Sequence, residues 1–474
     1  MEFIIWVEAR LRGRTLGIRA VAKVERESYR IEPEELGLTL QDGKTVLRQV
    51  QDCMVQAQAN VEDAAWKLCM HCNREQRTKD LRSRPLRTVF GTVDVFCRRY
   101  VRCTCRGGRP WIMWPLGLMG LKRSTPELTY LLAKWDSMLP FRRAAELLGE
   151  FLPLSDGAVS HATIRRHTLA VGAQLEQRVT EPYEYDWPTS RRQPVKAARR
   201  PTVAIDGTYV RANGAGWLRQ HYVVAGRIDR DGHMAGRFAW VAQSPTDSLD
   251  FMKAALSNNG WTASSQVAVI ADGADGLKNL VIAAPPNAPR GILDWFHISM
   301  RLRPIEQMAP GLAELLGGAG QGIAETLRLK LPRVRHQMWN GKWPAAIDRM
   351  REIYIGTARA ADSCSPAYAE RIRRFRQHLL DLRDYLRNNW SSLTNYVRAR
   401  RIGLRISSSP AESRMSHLVN QRMGKRQPMC WSSEGVHLLL QVRCAVLDDR
   451  LEALFREQYP QFRAAPVATE LPAL

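Results

Sequence analysis

The stretch Pro201-Thr-Val-Ala-Ile-Asp206-Gly-Thr-Tyr-Val210 decides the fold of this chain. It is an apolar run, rich in β-branched residues, that carries an acid followed by a glycine. This form is typical of a buried strand that delivers a carboxylate near its end. A second run, Gln266-Val-Ala-Val-Ile-Ala-Asp272-Gly-Ala, has the same form. Two acids brought together by neighbouring strands can hold a divalent metal ion.

The segments around these two runs predict an ordered set of strands and helices. We expect, in order, strands at 201–210, 221–229 and 237–243, a helix at 246–257, a strand at 266–272, a helix at 275–284 and a strand at 291–296. Asp229-Arg-Asp-Gly232 is predicted to be the hairpin turn between the second and third strands. This is the ribonuclease H order, in which the first and fourth strands are neighbours. Asp206 and Asp272 should then lie side by side.

A third acid is needed for phosphoryl transfer by two metal ions. The candidate is Glu412 in the segment Ser407-Ser-Ser-Pro-Ala-Glu412-Ser-Arg-Met, where Ser409 can cap a helix and Pro410 suits its first turn. Asp275 is an alternative acid near the second run, but it follows the strand end, so Asp272 is preferred. Basic side chains suited to phosphates follow Glu412, namely Arg414, Arg422, Lys425 and Arg426.

The charge of the chain points to a polyanionic partner. Its 474 residues carry a formal net charge of +23, which indicates nucleic acid unless the source proteome is generally basic. No stretch approaches the roughly 20 apolar residues of a membrane-spanning helix. The start of the chain lacks the basic and long apolar regions of a signal peptide. These features predict a cytoplasmic protein with no membrane partner.

Five of the nine cysteines fall between residues 69 and 105. Cys69-Met-His-Cys72 and Cys103-Thr-Cys105 flank a predicted hairpin with Gly91 at its turn, which is the layout of a zinc ribbon. The second pair departs from the usual C-x-x-C spacing, so His71 or Cys97 could replace a ligand. A ribbon without metal is the alternative.

Two further regions precede the predicted core. Residues 1–68 read as helical, with packing or self-association as their expected role. Residues 125–178 read as three helices in a helix-turn-helix layout, although an ordinary three-helix packing unit has the same pattern. The third helix carries candidate DNA-binding side chains near its start, namely Thr163, Arg165, Arg166 and His167.

Several motifs together resemble the DDE-type transposases of bacterial insertion sequences, close to the Mutator-like group. The motifs are Ala204-Ile-Asp206-Gly-Thr, Ile270-Ala-Asp272-Gly-Ala, Leu293-Asp294-Trp-Phe-His297, Pro410-Ala-Glu412-Ser, Arg422-Met-Gly-Lys and Met429-Cys-Trp431-Ser-Ser-Glu-Gly435. The resemblance covers about residues 30–450. The D-x-x-H element is shared with eukaryotic Mutator and hAT-like transposases.

The resemblance implies a multidomain α+β and α/β chain whose ribonuclease H-like core is split by an all-helical insertion. The implied domains are a helical region at 1–68, a zinc-ribbon-like hairpin at 69–120, a helix-turn-helix at 121–180, a basic linker at 181–200, the core at 201–297 and 406–456, the insertion at 298–405 and a tail at 457–474. One stripe predicts an amphipathic helix in the insertion: Ile372, Phe375, Leu379, Leu382 and Leu386. Ten arginines against two acids in 371–405 favour the DNA backbone over a merely solvated face.

The resemblance also implies a reaction. A transposase would bind the ends of its element, cut DNA and join the freed ends to a target, as a homo-oligomer on double-stranded DNA. Asp206, Asp272 and Glu412 would hold two Mg²⁺ or Mn²⁺ ions, and zinc would occupy the ribbon. Asp294 and His297 would be auxiliary, acting in positioning or protonation, or His297 would only satisfy a hydrogen bond. The alternatives are a non-catalytic DNA-binding descendant and a ribonuclease H-like nuclease.

Overall fold

A computed structural model shows a mixed α+β chain with several sheets, divided into two compact units. The first unit comprises Met1–Val171 with Arg450–Leu474, and the second comprises Gly172–Asp449. The structure describes residues 1–26, 33, 36–115, 123–154, 159–180, 201–213, 219–230, 233–259, 261, 265–273, 275–284, 290–315, 321–361, 366–407, 416–424 and 429–464. No helix in these ranges is long and apolar enough to cross a membrane.

The first unit begins with a β-hairpin. Strands β1 (Glu2–Leu11) and β2 (Arg14–Glu25) pair antiparallel, and both turn residues between them have positive φ, 48° at Arg12 and 80° at Gly13. The expectation that residues 1–68 are helical is therefore wrong for 2–25. The run Phe3–Val7 is rich in the β-branched and aromatic residues that favour strands, and the Arg-Gly pair suits a tight hairpin turn.

Helix α1 (Leu40–Trp66) confirms the helical expectation for residues 40–66. Its start is fixed by a capping box, in which Thr39 accepts from the Asp42 backbone and the Asp42 carboxylate accepts from the Thr39 backbone. Near its end, the buried Asp63 carboxylate accepts bonds from the Arg98 backbone at 3.0 Å and the Tyr100 hydroxyl at 3.1 Å. This acid ties the helix to the sheet beside it.

That sheet has three strands, β3 (Arg77–Thr88), β4 (Gly91–Val101) and β5 (Ile112–Met113). The predicted hairpin turn at Gly91 is confirmed, since Thr88 pairs with Gly91 and the glycine has a φ of +114°. The inward residues of β3 and β4 form a small core with α1: Ala59, Leu86, Val93, Val95 and Cys97.

Three helices follow, α2 (Pro126–Met138), α3 (Phe141–Phe151) and α4 (His161–Thr180). Thr125 caps α2, and Ser160 accepts from the Thr163 backbone at the start of α4. Their shared apolar core contains Leu128, Leu132, Ala144, Leu148 and Ile164. The three predicted helices therefore pack as one group.

The second unit contains a five-stranded sheet. Its strands are β6 (Thr202–Arg211), β7 (Gln220–Arg230), β8 (His233–Val241), β9 (Ala268–Ala271) and β10 (Arg290–Leu293). Their spatial order is β10-β9-β6-β7-β8. The first three strands form an antiparallel meander, whereas β9 runs parallel to β6 and β10 runs parallel to β9. The prediction that the first and fourth strands are neighbours is confirmed. The predicted turn at 229–232 lies partly outside the described residues.

Helices cover both faces of this sheet. One face packs against α5 (Pro245–Asn258) and α6 (Asp275–Ala283) in a core cluster that includes Val203, Val269 and Met252. The opposite face contributes Ala268, Ile270 and Ile292 to a second cluster with the helices that follow. Successive residues of a strand face opposite sides, so the continuous apolar runs reflect burial on both faces.

The following region is helical, as predicted. It comprises α7 (Trp295–Leu315), α8 (Gln321–Trp339), α9 (Trp343–Ala361), α10 (Pro366–Asn388), a 3₁₀ turn (Trp390–Ser392) and α11 (Tyr396–Arg401). The stripe on α10 is confirmed, because all five of its apolar residues are at most 2% exposed. The last strand ends at Leu293, not at residue 296, because α7 begins at Trp295.

After α11, a π-helical turn (Ser416–Asn420) leads into α12 (Gln421–Met423) and α13 (Ser433–Leu447). Helix α13 packs on β8, with the Gln441 amide donating to the Ala239 carbonyl at 2.8 Å. The Trp431 backbone donates to the Arg211 carbonyl at 3.0 Å, which fixes this segment to the end of β6.

Helix α14 (Leu451–Gln458) belongs to the first unit, where it contacts α2. The Tyr130 ring meets Phe455 and Phe462 edge-on at 5.5 and 5.4 Å between centroids. Arg463 forms an ion pair with Glu127 at 2.5 Å. The end of the chain thus completes a core that begins near residue 126.

Candidate functional site

Strand register places Asp206 and Asp272 at equivalent positions on adjacent parallel strands. Ala204 of β6 pairs with Ile270 of β9, and each acid lies two residues further along its strand direction. Residues two apart face the same side of a sheet, so both carboxylates project towards the face that carries the helical region. Strand β6 continues to Arg211 beside β7, so Asp206 lies within the strand and not at its end.

Asp294 extends this row of acids. Leu293 pairs with Ala271, and the Asp294 backbone donates to the Ala271 carbonyl at 3.0 Å, so Asp294 lies beside Asp272. Its carboxylate accepts from the Phe296 backbone at 2.8 Å and is 1% exposed, which makes it the cap of α7. His297 lies in the first turn of the same helix.

The acids share one electrostatic environment. Burial raises the pKa of the Asp206 carboxyl, and the charges of Asp272 and Asp294 raise it further. The Gly207 N–H, which donates to Asp206 Oδ1 at 2.7 Å, and His297 act in the opposite direction. Clustered carboxylates that are partly removed from water favour a bound cation, and hard oxygen donors suit Mg²⁺ or Mn²⁺. The carboxylate donors fit such an ion by their chemistry, but the acids in the described ranges do not by themselves bring three ligand atoms within 4.8 Å of one another.

Tyr222 lies over Gly207, next to the first acid. A Cβ atom at Gly207 would be 2.0 Å from the Tyr222 hydroxyl, so the Tyr222 side chain would have to move to admit a larger residue. Tyr209 is half exposed, and its ring lies 5.1 Å from the Tyr222 ring. Burial raises the pKa of Tyr222, with further contributions from Tyr209, Asp206 and Asp272.

The end of α10 supports the loop that carries Asp272. The Tyr385 hydroxyl donates to the Asp272 carbonyl at 2.7 Å. Gly273 has a φ of +100°, and a Cβ there would be 2.7 Å from the Asn389 side chain, which itself donates to the Tyr385 carbonyl. Sequence reasoning missed these supporting residues, because 113 residues separate Tyr385 from its partner and no local pattern records the contact.

The predicted third acid, Glu412, lies outside the described residues, as do Arg414, Lys425 and Arg426. The described segment before it lies beside the acid row, and the described segment after it contacts α13. Before it, the Ile406 carbonyl accepts from the Trp295 backbone at 3.1 Å, directly after Asp294. After it, the Leu418 carbonyl accepts from Arg443 at 2.5 Å.

Arg422 differs from expectation. It was predicted to face phosphates, but its side chain is fully buried, with its guanidinium 5.0 Å from the Trp431 ring centroid and near Met429. Burial, and then the charge of Arg422, lower the pKa of the neighbouring Arg443 to about 10. Arg422 is therefore an interior packing residue in this structure, because a tryptophan offers the cation a buried face.

In the first unit, the four predicted zinc ligands converge. The sulfur atoms of Cys69, Cys72, Cys103 and Cys105 all lie within 4.8 Å of one another, with Cys69–Cys105 at 3.8 Å and Cys72–Cys103 at 3.5 Å. Four thiolates placed tetrahedrally at zinc–sulfur distance would be about 3.8 Å apart, so this cluster can bind zinc. Within the part of the chain that the structure describes, no other group of three or more candidate ligand atoms comes this close together.

The thiols of the cluster have different acidities. Backbone N–H groups of Cys72 and His71 lower the pKa of Cys69 to about 6, which favours the thiolate form that binds zinc, whereas burial and then the neighbouring sulfurs raise the pKa of Cys105 to about 12. Of the alternative ligands, Cys97 is buried in β4, with its sulfur 3.6 Å from the Asp63 carboxylate, and is not part of the cluster. His71 is exposed and contributes only its backbone.

The candidate DNA-binding residues of α4 differ in exposure. Arg165 and Arg166 are exposed, and Thr163 is half-buried. His167 has its Nε2 atom 3.3 Å from the Ser124 hydroxyl, and burial lowers its pKa. The two arginines are therefore available to a ligand, whereas His167 contacts the segment before α2.

No protein-family model and no curated protein matches the chain. Among solved structures, a chain of the Drosophila P element transposase strand transfer complex aligns with 71% of this chain and 95% of its own length. That alignment has 11% sequence identity and a TM-score of 0.31. At these values, the likeness carries no argument about this chain.

Proposed function

We propose that this chain is a DNA transposase that binds the ends of an insertion sequence and catalyses metal-dependent strand cleavage and strand transfer. The observation that carries the proposal is the pairing of β6 with β9, because it brings Asp206 and Asp272 together in a sheet whose strand order is the one expected of a ribonuclease H-like core. The sequence motifs around both acids support the same assignment.

Glu412 is proposed as the third carboxylate of this site. It follows Ile406 by six residues, and Ile406 bonds to the residue directly after Asp294. Six residues span at most roughly 20 Å, a length of chain that allows Glu412 to reach the acids. The resemblance at Pro410-Ala-Glu412-Ser supports this choice over Glu434, which is exposed in the first turn of α13.

The proposed roles follow from the chemistry of the groups. Asp206, Asp272 and Glu412 would hold two Mg²⁺ or Mn²⁺ ions. When bound, such ions activate an attacking oxygen and stabilise a leaving one. Asp294 orients the start of α7, and Tyr385 with Asn389 keeps the Asp272 loop in place. Asp206 and Asp272 face one side of the sheet.

DNA binding is proposed for surfaces in both units. Arg165 and Arg166 on α4 are exposed, and the net charge of +23 favours a polyanion. On α10, Arg373 and Arg374 are largely exposed, although Glu370 is an ion-pair partner of both. The cysteine cluster is proposed to be a zinc ribbon that fixes the hairpin for DNA contact, and the active form is proposed to be a homo-oligomer.

The test measures cleavage and joining of a labelled duplex in the presence of Mg²⁺. The duplex carries the terminal DNA that flanks this reading frame, and DNA binding is measured on the same protein. Glu412→Gln, Asp206→Asn and Asp272→Asn should each abolish both reactions and leave DNA binding nearly unchanged, since ligands of one site act as a unit. Asp250→Asn is the matched control, because Asp250 is 67% exposed on α5 and distant in sequence from every motif.

The outcomes separate the alternatives. Wild-type protein that binds this DNA but never cuts it would indicate a non-catalytic descendant. Cutting of any duplex without joining would indicate a plain nuclease. A Glu412→Gln protein that cuts at the wild-type rate would remove Glu412 from the site and make Glu434 the next acid to test.

A further inference from the structure

Arg301 is an exposed cation held beside the acid row. It lies on α7 one turn after His297, because residues four apart share a helix face. Its guanidinium carbon is 4.2 Å from the centroid of the Tyr385 ring, at the short end of cation–π distances. Neither its charge nor its position is explained by the packing of α7, whose buried residues are apolar.

Tyr385 connects this arginine to the proposed metal-binding loop. Its hydroxyl donates to the Asp272 carbonyl at 2.7 Å while its ring supports the guanidinium. Burial raises the pKa of Tyr385 strongly, Arg301 acts against that shift, and the charges of Asp272 and Asp294 add to it. The arginine, the tyrosine and the two acids therefore lie within one electrostatic neighbourhood.

The guanidinium has five N–H donors, and its contact with Tyr385, which includes a hydrogen bond donated to the Tyr385 hydroxyl, uses only part of that edge, so further N–H groups can meet an oxyanion ligand. Phosphate oxygens of DNA at the carboxylates would meet that edge, and a fixed cation there stabilises negative charge that develops during phosphoryl transfer. We propose that Arg301 is a further catalytic residue, which contacts the scissile phosphate of DNA bound at Asp206 and Asp272. This inference rests on the proposed function.

A structural role is the competing explanation. An arginine near several carboxylates could serve only to offset their repulsion and so stabilise the fold. The two roles differ in what they predict: a structural cation affects stability without DNA, whereas a phosphate contact affects the cleavage rate of bound DNA. Arg303 provides the control, since it is an exposed arginine on the same helix but is two residues away and faces another side.

The experiment compares full-length Arg301→Gln, Arg303→Gln, Asp206→Asn and wild type on the same terminal duplex, at saturating DNA. Arg301→Gln is expected to lower the single-turnover cleavage rate by about 10²–10³-fold, as loss of one oxyanion-stabilising donor does. Arg303→Gln should cut at close to the wild-type rate. DNA affinity should change little and similarly in both arginine variants, since each loses one positive charge.

Chemical rescue distinguishes the loss of a catalytic contact from an effect of the substitution on folding. Removing the side chain in Arg301→Ala leaves the Tyr385 ring in place, so added guanidinium ion at millimolar concentration should restore part of the cleavage rate. The same ion should not rescue Asp206→Asn. Arg301→Lys should be intermediate, because an ammonium keeps the charge but loses the planar donor geometry.

Each result decides a separate question. If Arg301→Gln cuts as fast as Arg303→Gln, the role of Arg301 is refuted while the transposase proposal stands, provided that Asp206→Asn is inactive. If Arg301→Gln melts at a clearly lower temperature and guanidinium restores nothing, the role is structural and the inference is overturned. If wild type does not cut, or Asp206→Asn cuts equally well, the proposed function fails and the inference fails with it.

Discussion

Loss of zinc from the cysteine cluster is expected to destabilise the first unit by a measurable amount. A metal ion shared by Cys69 and Cys105 would cross-link residues that are 36 apart in the chain. Closing a loop of that length removes entropy from the unfolded state, worth about 4 kcal/mol in the loop-closure treatment used for cross-links. For a unit of this size, such a loss lowers the melting temperature by roughly 8–16 °C.

The assay combines metal content with thermal unfolding. Freshly purified protein should contain one zinc ion per chain, and Cys72→Ser or a strong zinc chelator should remove it and shift one of the unfolding transitions. Cobalt exchanged into the site should show the thiolate charge-transfer absorption of a four-sulfur centre. Cys53→Ser is the control, because Cys53 is a half-buried thiol on α1 outside the cluster.

Two results would refute this reasoning. Protein purified without chelators that holds no zinc would show that the cluster is an assembly of free thiols. Protein that holds zinc but melts at the same temperature after the metal is removed would show that the hairpin and α1 fix the loop by themselves. Asp63 already ties α1 to the sheet through buried bonds from the Arg98 backbone and the Tyr100 hydroxyl, and these contacts could fix the loop without metal. The second result therefore tests whether zinc contributes the loop-closure free energy given above.

Other regions give further predictions. Gly207→Ala should lower the free energy of unfolding by about 1–3 kcal/mol through overpacking against Tyr222, and Tyr222→Ala in the same chain should cancel most of that loss in a double-mutant cycle. Asp229→Ala should cost about 3–5 kcal/mol in urea unfolding, because it leaves the buried Arg227 without its carboxylate partner, whereas Asp250→Ala on the surface should cost little. Asp206→Asn should raise the melting temperature of magnesium-free protein at pH 7, because the raised pKa of Asp206 means that its charged form destabilises the fold above the unfolded pKa of about 3.9. This gain should shrink as the pH falls through the folded pKa and vanish below about pH 3, where the carboxyl is protonated in both states. An unchanged melting temperature for Asp206→Asn at pH 7 would contradict the electrostatic account.

The sheet of the second unit was predictable from sequence because its strands carry two independent signals. Buried runs such as 202–205 and 268–271 are apolar on both faces, which separates them from surface segments, and an acid marks where each run leaves the core. The order of elements then fixed which strands are neighbours. The register between β6 and β9 could be inferred only because the two acid motifs have the same form.

The features that the sequence does not predict are of two kinds. Some depend on contacts between residues far apart in the chain, and others on strands whose apolar and polar residues do not alternate regularly. The hairpin at 2–25 was misassigned because its alternation is irregular, with register shifts at Ile5/Trp6 and Ala9/Arg10. Arg422 was misplaced because charge alone does not reveal a buried aromatic partner nine residues later. Tyr385 and Arg301 were overlooked because their importance lies in what they contact, and those contacts join α7 and α10 to the β9 loop.

Because α14 belongs to the first unit, that unit cannot complete its folding until Leu451–Gln458 has been synthesised. The aromatic contacts of Tyr130 require Phe455 and Phe462, which are synthesised only after the whole of Gly172–Asp449. At ordinary translation rates, that delay is roughly 15–60 s. During this interval the nascent first unit exposes the apolar surface around Tyr130 of α2 that Phe455 and Phe462 cover in the folded unit. A prematurely terminated product, or a fragment that stops at residue 180, is therefore expected to be prone to aggregation, and a recombinant form of this unit should carry residues 450–464 joined by a linker.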